Sequence, residues 1–166
     1  DQAIAKFEKL VKSVEPGSRE SLDFLLGLAL ARVESARYLE QSHSSVLGRD
    51  EIQKARPREI QDAYARCIHV CESYLRVMDL GFTNDENPFS SVIRHDRHEV
   101  AFVLMEALFA IDKSELGERM FFKYFIIPTD RGNSKWRALA KPKIAGRLVS
   151  TGDYLMAYPL LSEVDQ

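Results

Sequence analysis

Residues 58–78 read REIQDAYARCIHVCESYLRVM, and their reading decides the fold class. Ile60, Ala63, Tyr64, Cys67, Cys71, Tyr74, Leu75 and Met78 recur at three- and four-residue intervals, which places them on one stripe of a helix. Asp62, Arg66, His69, Ser73 and Arg76 fall on the opposite, wetted stripe. Pro57 suits the first turn and Gly81 a position just past the last, so the pattern has a start and a stop.

The same period extends in both directions. Ile4, Phe7, Leu10 and Val11 predict a helix over 2–14, ended by Pro16 and Gly17. Ser18 then caps a long helix to about Glu40, with Leu22, Leu25, Leu26, Ala29, Val33 and Ala36 as its core stripe. The stretch FLLGLALA at 24–31 is apolar on nearly every face, as expected of a helix buried on more than one side. Gly27 at its centre costs about 1 kcal/mol against Ala, so another backbone is expected to pack closely there. Residues 41–57 are polar, with one short helix expected at Asp50 to Lys54. Residues 82–95 read as a loop of the length associated with function. Asp96 and Glu99 have the spacing of a capping box that opens a helix from Arg97 to about Ile111.

Ser114 starts a further helix whose Met120, Phe121, Tyr124 and Phe125 face inward, and Pro128 stops it. The remainder is less regular: a turn at Thr129 to Asn133, then a short helix from Ser134 to Lys141 terminated by Pro142. Ile144 to Val149 fits helix or strand. Thr151 to Met156 fits a last helical turn, and Tyr158 to Leu161 a docking tail. The expectation is an all-α, up-and-down bundle of four to five main helices with a less regular C-terminal segment. It forms one domain over 1–166, divided into a bundle core at 1–127 and a basic C-terminal segment with docking tail at 128–166.

Composition sets the remaining bounds. The 166 residues fit one domain of ordinary size, and 45% hydrophobic with 29% charged residues is a normal globular balance. The formal charge of -2 projects no global field toward a nucleic acid or a membrane. Two cysteines make no disulfide framework, no signal-peptide pattern is visible, and no apolar run reaches the ~20 residues that cross a bilayer. A soluble protein of a reducing compartment, the cytoplasm, is expected, with no cofactor and no membrane partner.

Four groups of residues invite a functional reading. Cys67, His69 and Cys71 are zinc-ligand types, but Cys67 and Cys71 share the buried stripe while His69 points about 200° away. They read as core thiols beside a wet histidine. His95, Asp96, His98 and Glu99 crowd four potential ligands into five residues. With no second cluster to complete a site, they read as solvated residues of a helix start.

Arg37-Tyr-Leu-Glu-Gln-Ser-His43 resembles the loose arginine–histidine spacing of HEPN ribonucleases, small helical bundles whose composite site is completed across a dimer. The likeness covers seven residues, and Tyr38 stands where that family usually has a polar side chain. It implies an alternative function, RNA cleavage with His43 in the site.

The fourth group is the strongest. Lys123, Arg131, Lys135, Arg137, Lys141, Lys143 and Arg147 are opposed only by Asp130, so residues 123–147 carry +6 and the rest of the chain -8. Trp136, the only tryptophan, lies among them. Such a segment fits phosphate contact with base stacking, an acidic protein surface, or the chain's own acidic helices. Phosphate loops, dinucleotide fingerprints, nucleophile elbows, metalloprotease helices and nucleic-acid-binding motifs are absent from the sequence. The expected function is therefore a non-catalytic interaction or regulatory module. It docks on another macromolecule, a protein in preference to a nucleic acid, through Arg131, Lys135, Trp136, Arg137, Lys141, Lys143 and Arg147. The alternatives are nucleic-acid binding through the same segment and a small helical enzyme.

Overall fold

The computed structural model describes residues 2–47, 57–81, 90–126 and 134–162. Among them lie seven helices and no strand: α1 (Gln2–Ser13), α2 (Arg19–Leu47), α3 (Arg58–Gly81), α4 (Ser90–Ala110), α5 (Ser114–Phe121), α6 (Ser134–Ser150) and α7 (Tyr154–Ser162). A π-helical turn, Phe122–Ile126, prolongs α5. Neighbours in sequence are neighbours in space, with α1 on α2, α2 on α3, α3 on α4, α4 on α5, and α6 on α7. The chain is an all-α helical bundle.

The apolar stripe of α3 is buried at all eight expected positions, and Ile60, Cys67 and Cys71 have no exposed surface at all. Helix α2 meets α1, α3 and α4 on different sides, which accounts for the all-round apolarity of 24–31. Ser18 does cap it: the Ser21 amide donates to Ser18 Oγ at 3.1 Å, and the Leu22 amide to Ser18 O at 3.2 Å. The helix runs on past Glu40 to Leu47 because its second half still has partners. Tyr64 donates to Glu40 Oε2 at 2.8 Å from α3. What packs against Gly27 is a ring and not a backbone. A Cβ there would stand 2.5 Å from Phe7 Cε1, so the glycine makes the seat on which α1 docks. Arg32 donates to Glu8 beside it and closes the α1–α2 contact.

Helix α4 begins at Ser90, not at Arg97, so positions 96 and 99 lie inside it rather than at its start. Packing decided this. Val100 to Met105 are all buried, and the helix they anchor continues upstream into residues read as loop. The short helix at 50–54, the loop residues 82–89 and the turn at 129–133 fall outside the described residues, as does Pro128. Helix α4 closes on Asp112 at φ 59°, where the Asp112 amide donates to Phe109 O and the Lys113 amide to Leu108 O. That is a Schellman end with aspartate in the position glycine usually fills.

The largest departure is at the C-terminus. The predicted stop at Pro142 is absent, and α6 runs through it to Ser150. A proline inside a helix costs about 3 kcal/mol. Beyond it Ile144 and Ala145 are fully buried and Leu148 nearly so. Each such aliphatic side chain returns roughly 1.5–3 kcal/mol when fully buried, which offsets the defect. Gly152 at φ 83° ends α6, with the Gly152 amide donating to Val149 O and the Asp153 amide to Leu148 O. Asp153 then caps α7, accepting from the Met156 amide at 3.2 Å. The C-terminal segment is thus a regular helical hairpin, α6–α7.

Candidate functional site

The seven residues of the basic segment are divided by the fold. Arg131 lies outside the described residues. Lys141 is 8% exposed. Lys143 donates to Glu106 on α4, and Arg147 Nε lies 3.4 Å from Glu118 Oε1 on α5. Two of the cations are thus directed at carboxylates of the chain's own helices. Trp136 is half-buried, its ring 5.3 Å from that of Phe102 on α4. Arg137 is half-buried too, whereas Lys135 is exposed with its ammonium 4.7 Å from the Trp136 ring. Helix α6 therefore meets α4 through Trp136 and Lys143, while its Ile144 and Leu148 lie in the core.

Glu106 is the hub of the arrangement. Only 15% of its side chain is exposed, and it also accepts from Arg37 Nη2 of α2 at 2.5 Å. Arg37 in turn donates to Glu34. Burial pulls the Arg37 guanidinium toward deprotonation, but Glu106 and Glu34 outweigh it and leave the group above its ordinary value. One carboxylate thus holds α2 and α6 on either side of α4.

Of the ten large hydrophobic residues exposed among the described residues, seven lie between Leu139 and Leu161, on the hairpin. Leu155 is 89% exposed, Tyr158 73% and Tyr154 64%. In the docking tail expected at 158–161 Leu160 is buried, as is Ala157 just before it, while Tyr158 and Leu161 face out. The sequence carried a signal for this surface. YLMAYPLL at 154–161 is a fully apolar run too short to bury both faces against one neighbouring helix.

A cleft of about 460 Å³ opens between α3, α4 and α5. Leu75, Leu104, Leu108 and Met120 line it, with Asp79 and Lys123 at its polar side. Asp79 accepts from Arg97 at 2.5 Å and from Lys123 at 3.1 Å. The hydrogen bond with Tyr124, and then Asp79, raises the Lys123 ammonium above its ordinary value against the pull of burial. Tyr124 belongs to the π-helical turn, a feature the sequence reading did not anticipate.

Among the described residues the other groups do not assemble into sites, and the side chains of His95 and Asp96 lie outside them. Cys67 and Cys71 face each other at 4.0 Å inside the core, and His69 is exposed on the far side of α3. His98, expected to be solvated, is 4% exposed with its ring 6.1 Å from Phe125. It shares the buried face of Ala101, Phe102 and Met105, three, four and seven residues further on. Arg37 and His43 sit six residues apart within α2, about 240° around the helix. Arg37 engages Glu106, whereas His43 Nε2 lies 3.6 Å from Glu59 on α3. No group of three or more His, Cys, Asp or Glu side chains among the described residues is placed to hold a metal ion. No helix among them is long and apolar enough to cross a membrane.

Comparison with protein-family models, with curated proteins and with solved structures finds no match to this chain.

Proposed function

We propose that this chain is a non-catalytic helical interaction module that docks on another protein through the α6–α7 hairpin. The observation that carries the reading is the concentration of exposed Leu139, Val149, Tyr154, Leu155, Met156, Tyr158 and Leu161 on one hairpin. Contiguous exposed apolar surface is costly in water and marks contact surfaces. The cationic rim of the basic segment adds selectivity for acidic partners, because rim charges steer encounter more than they add affinity.

The division of the cations favours a protein over a nucleic acid. With Lys141 buried and Lys143 and Arg147 set against Glu106 and Glu118, few cations remain for phosphate neutralisation. The RNA-cleavage alternative would require Arg37 and His43 to converge, and they engage different neighbours.

The test compares two immobilised baits, wild type and Leu155→Glu/Tyr158→Glu, exposed to the same lysate. Both substituted positions are exposed, so circular dichroism of the variant should match wild type. Proteins recovered by wild type and lost with the variant are expected. Identical recovery overturns the reading. A parallel titration with labelled single- and double-stranded nucleic acid at low salt decides the alternative. Binding that weakens steeply with salt would transfer the function to nucleic acid.

A further inference from the structure

The outward face of α6 carries Leu139, Pro142, Gly146 and Val149 at intervals of three, four and three residues, a pattern that is the same read forward or backward. This is the alternation of the two seam positions of a heptad. Lys135 stands four residues before it on the helix, and Asp153 four residues after it, just past the helix end at Gly152. All six positions are exposed, Leu139 at 46% and Val149 at 40%, so the seam has no partner among the described residues. A Cβ built on Gly146 meets nothing within 4 Å.

From this we infer that the seam is a two-fold interface at which two copies of the chain pack α6 against α6 in antiparallel fashion. It rests on the reading of the hairpin as an interface and names a second copy as its partner. The argument is self-complementarity. A two-fold axis beside Ile144 places positions equally far before and after it opposite each other. Leu139 then meets Val149 of the other copy, an apolar pair. Pro142 meets Gly146, where the missing side chain makes room for the ring. Lys135 is brought toward the end of the opposite α6, which Asp153 follows, so opposite charges flank the seam. Both helix layers and the flanking charges are favourable in this register. In the parallel register Lys135 would meet Lys135 and Asp153 would meet Asp153.

Lys143, close to the axis, would raise a like-charge conflict between the copies. Its ammonium is bound to Glu106 of its own chain, which neutralises it. Asp153 has a second oxygen to offer, since its cap on α7 engages only Oδ1. The pairing also brings the start of α7, with exposed Tyr154 and Leu155, toward the Lys135 end of the opposite α6.

Light scattering after gel filtration, on the full chain at concentrations up to the order of tens of micromolar, should give twice the monomer mass. Gly146→Glu points two carboxylates into the seam while leaving the monomer's interior untouched, and should return the monomer mass with an unchanged circular dichroism spectrum. Lys135→Glu sets two acids against each other and should weaken association at least tenfold, more so at low salt. Register is read by cross-linking. Mixed Leu139→Cys and Val149→Cys chains should form a disulfide between them, whereas Leu139→Cys alone should not, since its two copies would lie about 15 Å apart along the helices. Cys67 and Cys71 are buried and will not interfere.

A monomer at every concentration overturns the inference, as does a dimer that survives Gly146→Glu or a disulfide formed by Leu139→Cys alone. The two readings fail separately. A monomeric chain whose lysate partners still depend on Leu155 refutes self-pairing and leaves docking standing. A dimer whose recovered proteins ignore Leu155→Glu refutes docking and leaves self-pairing standing.

Discussion

The ammonium of Lys143 on α6 is bound to the carboxylate of Glu106 on α4. The same carboxylate accepts from Arg37 on α2, so removing it leaves two cations facing each other across a half-buried gap. Glu106→Ala should lower stability by about 1–2 kcal/mol, less than a fully buried pair would cost, because both cations are partly exposed. Urea denaturation of wild type, Glu106→Ala and Lys143→Ala checks this. Lys143→Ala should cost under about 1 kcal/mol, since Arg37 still neutralises the carboxylate.

The two thiols give a pH prediction. Hydrogen bonding to Cys67, and then burial, push the Cys71 thiol well above its ordinary range. A raised value means the folded state holds its proton where the unfolded state releases it. The contribution is therefore fully present below the unfolded thiol value of about 8.5 and is lost as pH rises beyond it toward the folded one. Stability measured by denaturant should decline above that pH, and Cys71→Ala should flatten the decline. In native buffer neither thiol should react with a thiol-specific reagent, and both should react once the chain is unfolded.

Gly27 and Phe7 make a local prediction. Gly27→Ala improves helix propensity in α2 by about 1 kcal/mol but puts a methyl group 2.5 Å from the Phe7 ring. Phe7 is half-buried on a terminal helix, so the ring gives way before α2 does. Hydrogen exchange should show α1 amides losing protection while those of α2, α3 and α4 keep theirs.

These cases mark what the sequence made legible. The α3 stripe, the Ser18 cap and the inward Phe121, Tyr124 and Phe125 could be read from period and capping alone, because local chemistry and tertiary packing agree there. At Pro142 and at Asp96 they disagree. A proline and a capping pattern each argued for a helix boundary, and buried residues beyond them carried the helix through. The basic segment was visible as charge, but which cations are neutralised depends on Glu106 and Glu118. These lie over twenty residues upstream, and no spacing rule links them to α6. The apolar run at 154–161 was visible too, and its exposure followed only from the single neighbour α7 packs on.

Pro142 itself should be a stability defect of the isolated chain. It removes one intrahelical donor from α6 and is exposed, so no core contact compensates at the residue. Pro142→Ala should raise the stability of the monomer by roughly 1–3 kcal/mol, with thermal unfolding as the measurement. No gain would mean that the ring's fixed φ offsets the lost bond by restricting the unfolded chain.

Trp136 offers the last prediction, and it bears on how binding experiments are designed. Its ring packs 5.3 Å from Phe102 and is half-buried, so it serves both the α4–α6 contact and the surface. Trp136→Ala should cost about 1–2 kcal/mol, part of the cost of a fully buried aromatic. Lys135→Ala, which loses only an exposed cation–π contact, should cost under about 1 kcal/mol. The single tryptophan reports on this directly: its emission should be blue-shifted in the native protein and move toward the red in Phe102→Ala. A binding loss in a variant that includes Trp136→Ala would therefore mix contact with helix displacement. Lys135→Glu leaves the Trp136–Phe102 packing in place, and so isolates the charge.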